Sequence, residues 1–130
     1  MSIEILNPAG WPRPRGYSNG IAATGRMVFV AGQIGWNAQG RFESDDLVDQ
    51  VAQALRNVVA VLAEGGATPA HIVRMTWYVT DRGEYLARAA DIGDVYRNII
   101  GKNYPAMTAV EVSALIEERA KVEIEVTAVT

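Results

Sequence analysis

Met27-Val28-Phe29-Val30-Ala31-Gly32-Gln33 is the stretch on which the fold turns. Successive side chains of a strand point to opposite faces, so a strand with one wet face alternates apolar and polar residues. This one is apolar on both faces, the pattern of a strand covered on each side. Immediately upstream, Tyr17–Ala23 reads as a second strand. The intervening Thr24-Gly25-Arg26 reads as a hairpin turn, with Gly25 free to take the positive φ that a tight turn needs.

Working outward, the N-terminal side holds a short extended segment, Ile3–Leu6, and then an irregular arm to Gly16 punctuated by Pro8, Pro12 and Pro14. On the C-terminal side, Leu47, Val51, Leu55, Val58, Val59 and Leu62 recur at helical spacing and predict a helix over Ser44–Ala63. Ser44 suits its N-cap, Asp45 and Asp46 favour its positive end, and Gly65-Gly66 can terminate it. Arg74–Thr80 reads as a strand and Glu84–Ile100 as a second helix with Tyr85, Leu86, Ala89, Ile92, Tyr96 and Ile99 on one stripe. Two closing strands follow, Met107–Ala114 and Ala120–Val129; in the last, Val122, Ile124, Val126 and Ala128 alternate with Glu123, Glu125 and Thr127.

This is an α+β order in one domain spanning residues 1–130, with a mixed sheet of five to six strands and two helices. Two helices cover only one face of such a sheet. The doubly apolar 27–33 strand therefore predicts that the other face packs against further copies of the chain.

Composition narrows the function classes. Twelve Lys and Arg against fifteen Asp and Glu leave a net charge of −3, with no excess of cations to displace the counterions of a nucleic acid. There is no cysteine, hence no disulfide, thiolate nucleophile or thiolate metal site, which suits a reducing compartment and makes the cytoplasm the expected location. No stretch approaches the roughly 20 apolar residues that span a bilayer, and the proline-containing start lacks a signal-peptide core. His71 is the single histidine and has no metal-ligand spacing around it, and no phosphate-binding loop, dinucleotide fingerprint or nucleophile elbow is present. The expectation is a protein without cofactor or metal whose partners are a small molecule and copies of itself.

Four segments, read in order, carry a family likeness: Gly16-Tyr17; Val30-Ala31-Gly32-Gln33-Ile34; Tyr104-Pro105-Ala106-Met107-Thr108-Ala109-Val110-Glu111-Val112; and Lys121-Val122-Glu123-Ile124-Glu125. Together they span nearly the whole chain, and it resembles the reactive-intermediate (enamine/imine) deaminases of the RidA/YjgF/YER057c/UK114 type. The resemblance implies a chorismate-mutase-like α+β fold, a homotrimer, and three clefts at subunit boundaries. In imine-hydrolysing members an Arg of a Pro-Ala-Arg segment clamps the substrate carboxylate, an Asn on the second helix assists, and a Glu of the last strand handles water. Here Met107 stands at the position of that Arg, Gly93 at that of the Asn, and Ala109 at that of a frequent Cys, while Glu123 matches the acidic position.

Each candidate has a chemical and a structural reading. Glu123 could orient or deprotonate water attacking a C=N carbon and return the proton to the departing nitrogen; with Glu125 on the same strand face it could equally belong to a solvated or ion-paired edge. Tyr17 could close the cleft with its ring or simply begin a strand. Gly32 and Gln33 could let the backbone approach a ligand and offer N–H groups to developing charge, or mark a bulge. Met107 suggests a soft cleft wall and a less polar substrate, or ordinary core. Glu111 reads as an interface residue, and Arg13, Arg15, Arg26, Arg88 and Arg97 are candidates for a displaced anion clamp.

Two functions follow. One is a cofactor-free hydrolase of an enamine, imine or related small metabolite with Glu123 handling the proton. The other is a non-catalytic trimer that binds a small molecule or partner after losing the clamp. The ribonuclease label carried by some relatives calls for phosphate contacts and an acid–base pair, for which the chain offers neither a basic patch nor paired histidines.

Overall fold

The computed structural model describes residues 2–130; Met1 lies outside them. In chain order the elements are β1 (Ser2–Leu6), β2 (Gly20–Thr24), β3 (Met27–Ile34), α1 (Leu47–Glu64), β4 (Ile72–Val79), α2 (Arg82–Ala87), α3 (Ala89–Ile99), β5 (Ala106–Glu111) and β6 (Val122–Val129). The fold is α+β, with six strands and a mixed sheet as expected. Four strands form one sheet in the order β3-β6-β4-β5, in which only β4 and β5 run parallel; β1 and β2 form a separate antiparallel ribbon.

That ribbon replaces the predicted hairpin between Tyr17–Ala23 and Met27–Gln33. Gly25 does take a positive φ, +142°, but Arg26 exchanges backbone hydrogen bonds with Thr130, at 3.0 and 2.9 Å. The end of β6 thus occupies the partners at the entry to β3. The donors and acceptors of β2 go instead to β1, with Ile21 opposite Ile5 and Ala23 opposite Ile3. Ser18, just ahead of β2, donates its N–H to Pro105 O (2.9 Å) and tethers this segment to the start of β5.

Helix α1 forms where the periodicity placed it, and Val51, Leu55, Val58 and Leu62 are fully buried in the core. Its N-cap is Asp46 rather than Ser44. The Asp46 carboxylate accepts from Asp49 N (3.1 Å), while the Ser44 hydroxyl accepts from Asp46 N (3.0 Å) and donates to Asp49 (2.8 Å), bracing the cap from outside. Gln50, buried on the same helix, donates to the carbonyls of Ser44 (3.1 Å) and Arg119 (3.0 Å) and accepts from Lys121 N (2.8 Å). One amide therefore joins the loop before α1 to the entry of β6.

The predicted second helix, Glu84–Ile100, is two helices that meet at Arg88. Arg88 leaves helical geometry (ψ 15°), and its guanidinium pairs with Asp46 at the start of α1 (2.7 Å) and with Asp91 (3.1 Å). The junction is thereby fastened to α1. Among the described residues no helix is long and apolar enough to cross a membrane.

The sheet has two unlike faces. Met75, Trp77 and Val79 of β4 and Val122, Ile124, Val126 and Ala128 of β6 are buried in the core with α1 and α3. Their intervening neighbours Thr76, Tyr78, Glu123, Glu125 and Thr127 point the other way, as the two-residue period requires. On β3, Val30 is buried whereas Phe29 is 69% exposed. Among the described residues nothing covers the outer apolar side of β3, where Met27 and Phe29 are exposed.

Candidate active site

The predicted site residues fall into two groups on opposite faces of the sheet. Met107 and Ala109 of β5 stand in register with Met75 and Trp77 of β4, on the face carrying the helices. Glu123 stands in register with Tyr78, on the open face. No rotation of a side chain within a strand exchanges the two.

The first group lines a cavity of about 520 Å³ between β5, α2 and α3, closed at one end by the segment before β2. Tyr17, Gly93, Met107 and Ala109 all lie on its wall. The rest of the wall is strongly aromatic. Trp77 sits edge-on to Tyr85 (6.5 Å) and tilted against Tyr96 (6.4 Å), and Tyr96 stacks on Tyr104 (5.7 Å, 14°). Burial raises the phenols of Tyr85 and Tyr96 above their ordinary range, keeping both neutral. The Tyr96 hydroxyl donates to Asn103 O (2.6 Å), so its ring is held in place and its proton is committed.

Two of the five candidate arginines reach this cavity, Arg15 and Arg97. Arg97 lies four residues after Gly93 on α3, and a Cβ on Gly93 would stand 3.4 Å from Arg97 Nη1 and 3.8 Å from Nη2. The guanidinium thus lies over the helix beside Gly93. Arg88 is committed to Asp46 and Asp91, Arg26 donates to Gly65 O (2.6 Å), and Arg13 lines a different hollow.

Trp77, Tyr85 and Tyr104 are cavity residues to which the sequence analysis assigned no site role. The signal was present as an aromatic residue on β4, on α2 and in the loop before β5. Nothing in one dimension brings position 77 to positions 85 and 104.

The second group gathers around Glu123. The register of β3 shifts between Val30 and Gln33, and in this irregularity a Cβ on Gly32 would overlap the Glu123 carboxylate. Gly32 is thus the residue against which that carboxylate rests. Gln33 turns its amide back onto Ala31 O (3.0 Å). Two residues along β6, Glu125 accepts from the Tyr78 hydroxyl (2.8 Å) and raises that phenol above its usual range. Glu111 does not join either group; its carboxylate accepts from Arg82 N (2.7 Å) at the start of α2.

An aromatic cavity with cations at its rim suits a small organic ligand. A carboxylate with room above a glycine suits proton transfer. One chain holds both, on opposite faces.

Comparison with known proteins agrees with this architecture. The model of the family described as Endoribonuclease L-PSP matches residues 12–130. The crystal structure of YyfB, a Rid-family protein of unknown function from Yersinia pestis, is 33% identical and superposes with a TM-score of 0.88, covering all of both chains. Escherichia coli TdcF, solved with bound serine, is 32% identical over 98% of each chain with a TM-score of 0.70. A 2-iminobutanoate/2-iminopropanoate deaminase of Capra hircus is 29% identical over 97% of this chain and 89% of its own. With the helices on one face of the sheet and a family model covering all but the first eleven residues, the chain belongs to the Endoribonuclease L-PSP family, the RidA/YjgF/UK114 reactive-intermediate deaminases.

Proposed function

We propose that this protein is a cofactor-free hydrolase of a reactive enamine or imine, working at clefts formed between copies of the chain in a trimer. Membership of the family supports a reactive-intermediate deaminase role in general. The observation that carries the finer reading is the separation of the two groups. Tyr17, Gly93, Met107 and Ala109 face one side of the sheet and Glu123 the other, so a cleft containing both needs two copies. The uncovered Phe29 supplies apolar surface for that association.

In this reading the imine sits in the aromatic cavity with its C=N carbon toward the neighbouring copy's Glu123. The carboxylate accepts a proton from water as the oxygen adds to that carbon and passes this proton to the imine nitrogen, giving a neutral carbinolamine. Glu123 then takes the carbinolamine's hydroxyl proton as the C=O bond forms and delivers it to the nitrogen, and the C–N bond breaks to release ammonia. One imine and one water yield one carbonyl compound and one ammonia.

A trimer that binds without reacting is the second reading, and the cavity wall favours it. Its buried phenols are held neutral, and the proton-transfer group must come from elsewhere. Ammonia release from imines generated in situ, corrected for their spontaneous decay, separates the two. Acceleration by the wild type that falls by about a hundredfold or more in Glu123→Gln supports the hydrolase. Folded protein that accelerates none of a broad panel sinks it.

A further inference from the structure

We infer that the cavity under α3 takes a monocarboxylate carried on an aromatic or bulky apolar body, with Arg97, assisted by Arg15, as its anion grip. The inference rests on the cavity being the substrate side of the cleft, and it names the ligand class of that same side.

Two independent observations converge on it. First, the cavity is large for a two- or three-carbon metabolite: about 520 Å³, walled by Trp77, Tyr85, Tyr96 and Tyr104. Edge-to-face and stacked rings at 5.7–6.5 Å already pack against one another there, and a further flat ring would extend the same arrangement. Second, the guanidinium of Arg97 lies directly over Gly93 at the wall. Its recorded partner, Asp94, engages only Nη2 and is itself largely exposed. A guanidinium carries five donors in a planar fork, so donors remain on Arg97 for a second carboxylate. Arg15 brings another positive charge to the same wall.

The charge and the rings define the ligand together. An uncharged aromatic compound would leave both cations unused, and a short carboxylate would leave most of the cavity to water. The acid form of an aryl-substituted side chain uses both.

The probes are 3-phenylpropanoate, its amide and propanoate, titrated calorimetrically into the full-length protein. Wild type is expected to bind the aryl acid about tenfold or more tighter than either control. Arg97→Gln is expected to erase the preference for acid over amide while leaving amide binding unchanged, a loss of about tenfold to a hundredfold for the acid alone. Arg97→Lys should restore only part of it, because an ammonium lacks the fork. Gly93→Asn, which crowds the guanidinium without removing it, should weaken the acid more than the amide. Equal binding of acid and amide by wild type, or a preference that survives Arg97→Gln, would overturn the inference. These readouts contain no turnover: acid selectivity through Arg97 without ammonia release would end the hydrolase proposal and leave the grip standing. Turnover with no such selectivity would do the reverse.

Discussion

If a working cleft takes its cavity from one copy and Glu123 from the next, two dead variants should rescue one another. The first is Ala109→Trp. Ala109 is exposed on the edge strand β5 and lines the cavity, so an indole there fills the cavity without entering the core. The second is Glu123→Gln, which keeps the shape and removes the base. Each homo-oligomer contains only clefts with one ruined half. In co-refolded one-to-one hybrids a cleft is intact when its cavity comes from the Glu123→Gln chain and its carboxylate from the Ala109→Trp chain. Random assembly around a cyclic trimer makes about one cleft in four intact, so hybrids should recover about a quarter of wild-type ammonia release. Refolding the variants separately and then mixing them should yield background activity. Hybrids shown by mass spectrometry to contain both chains yet remaining at background would refute the shared cleft.

Three further outcomes test other parts of the structure. Phe29→Asp places a charge on the uncovered face of β3, and sedimentation should show dissociation toward monomer; an unchanged assembly would remove that face from the interface. Gln50→Leu strands Lys121 N–H and the carbonyls of Ser44 and Arg119, costing about 1–3 kcal/mol for buried groups left unpaired; a urea midpoint equal to wild type would contradict the bridging role. Asp46 is held below the usual carboxylate range, chiefly by its hydrogen bond to Arg88. A depressed folded pKa stabilises above the unfolded value near 4 and is lost as pH falls through the folded value. Melting curves of wild type and Asp46→Asn should therefore differ modestly at neutral pH, the pair being substantially exposed, and converge in acid. A gap that persists or widens in acid would exclude the ion pair as its source.

Much of this protein was already legible along the chain. Helical spacing from Leu47 to Leu62 and strict alternation from Val122 to Ala128 are local periodicities, and each reappears as a buried stripe or face. The apolar character of both sides of 27–33 predicts a covered face, and in the single chain Phe29 is exposed on it. What the chain could not disclose was pairing between distant residues. Whether β2 joins β3 or β1 depends on Thr130 taking the partners of Arg26, a competition between positions more than a hundred apart. The break at Arg88 depends on Asp46, from another helix. Arg97 and Arg15 differ from the other candidate arginines only in reaching a cavity walled by residues distant in sequence. Residue type and period determined most of the elements and their order, and four short motifs pointed to the family, because those are properties of neighbours in sequence. Only the tertiary structure decided that the cavity and Glu123 lie on opposite faces of one sheet, because a strand's face is defined by what packs against it.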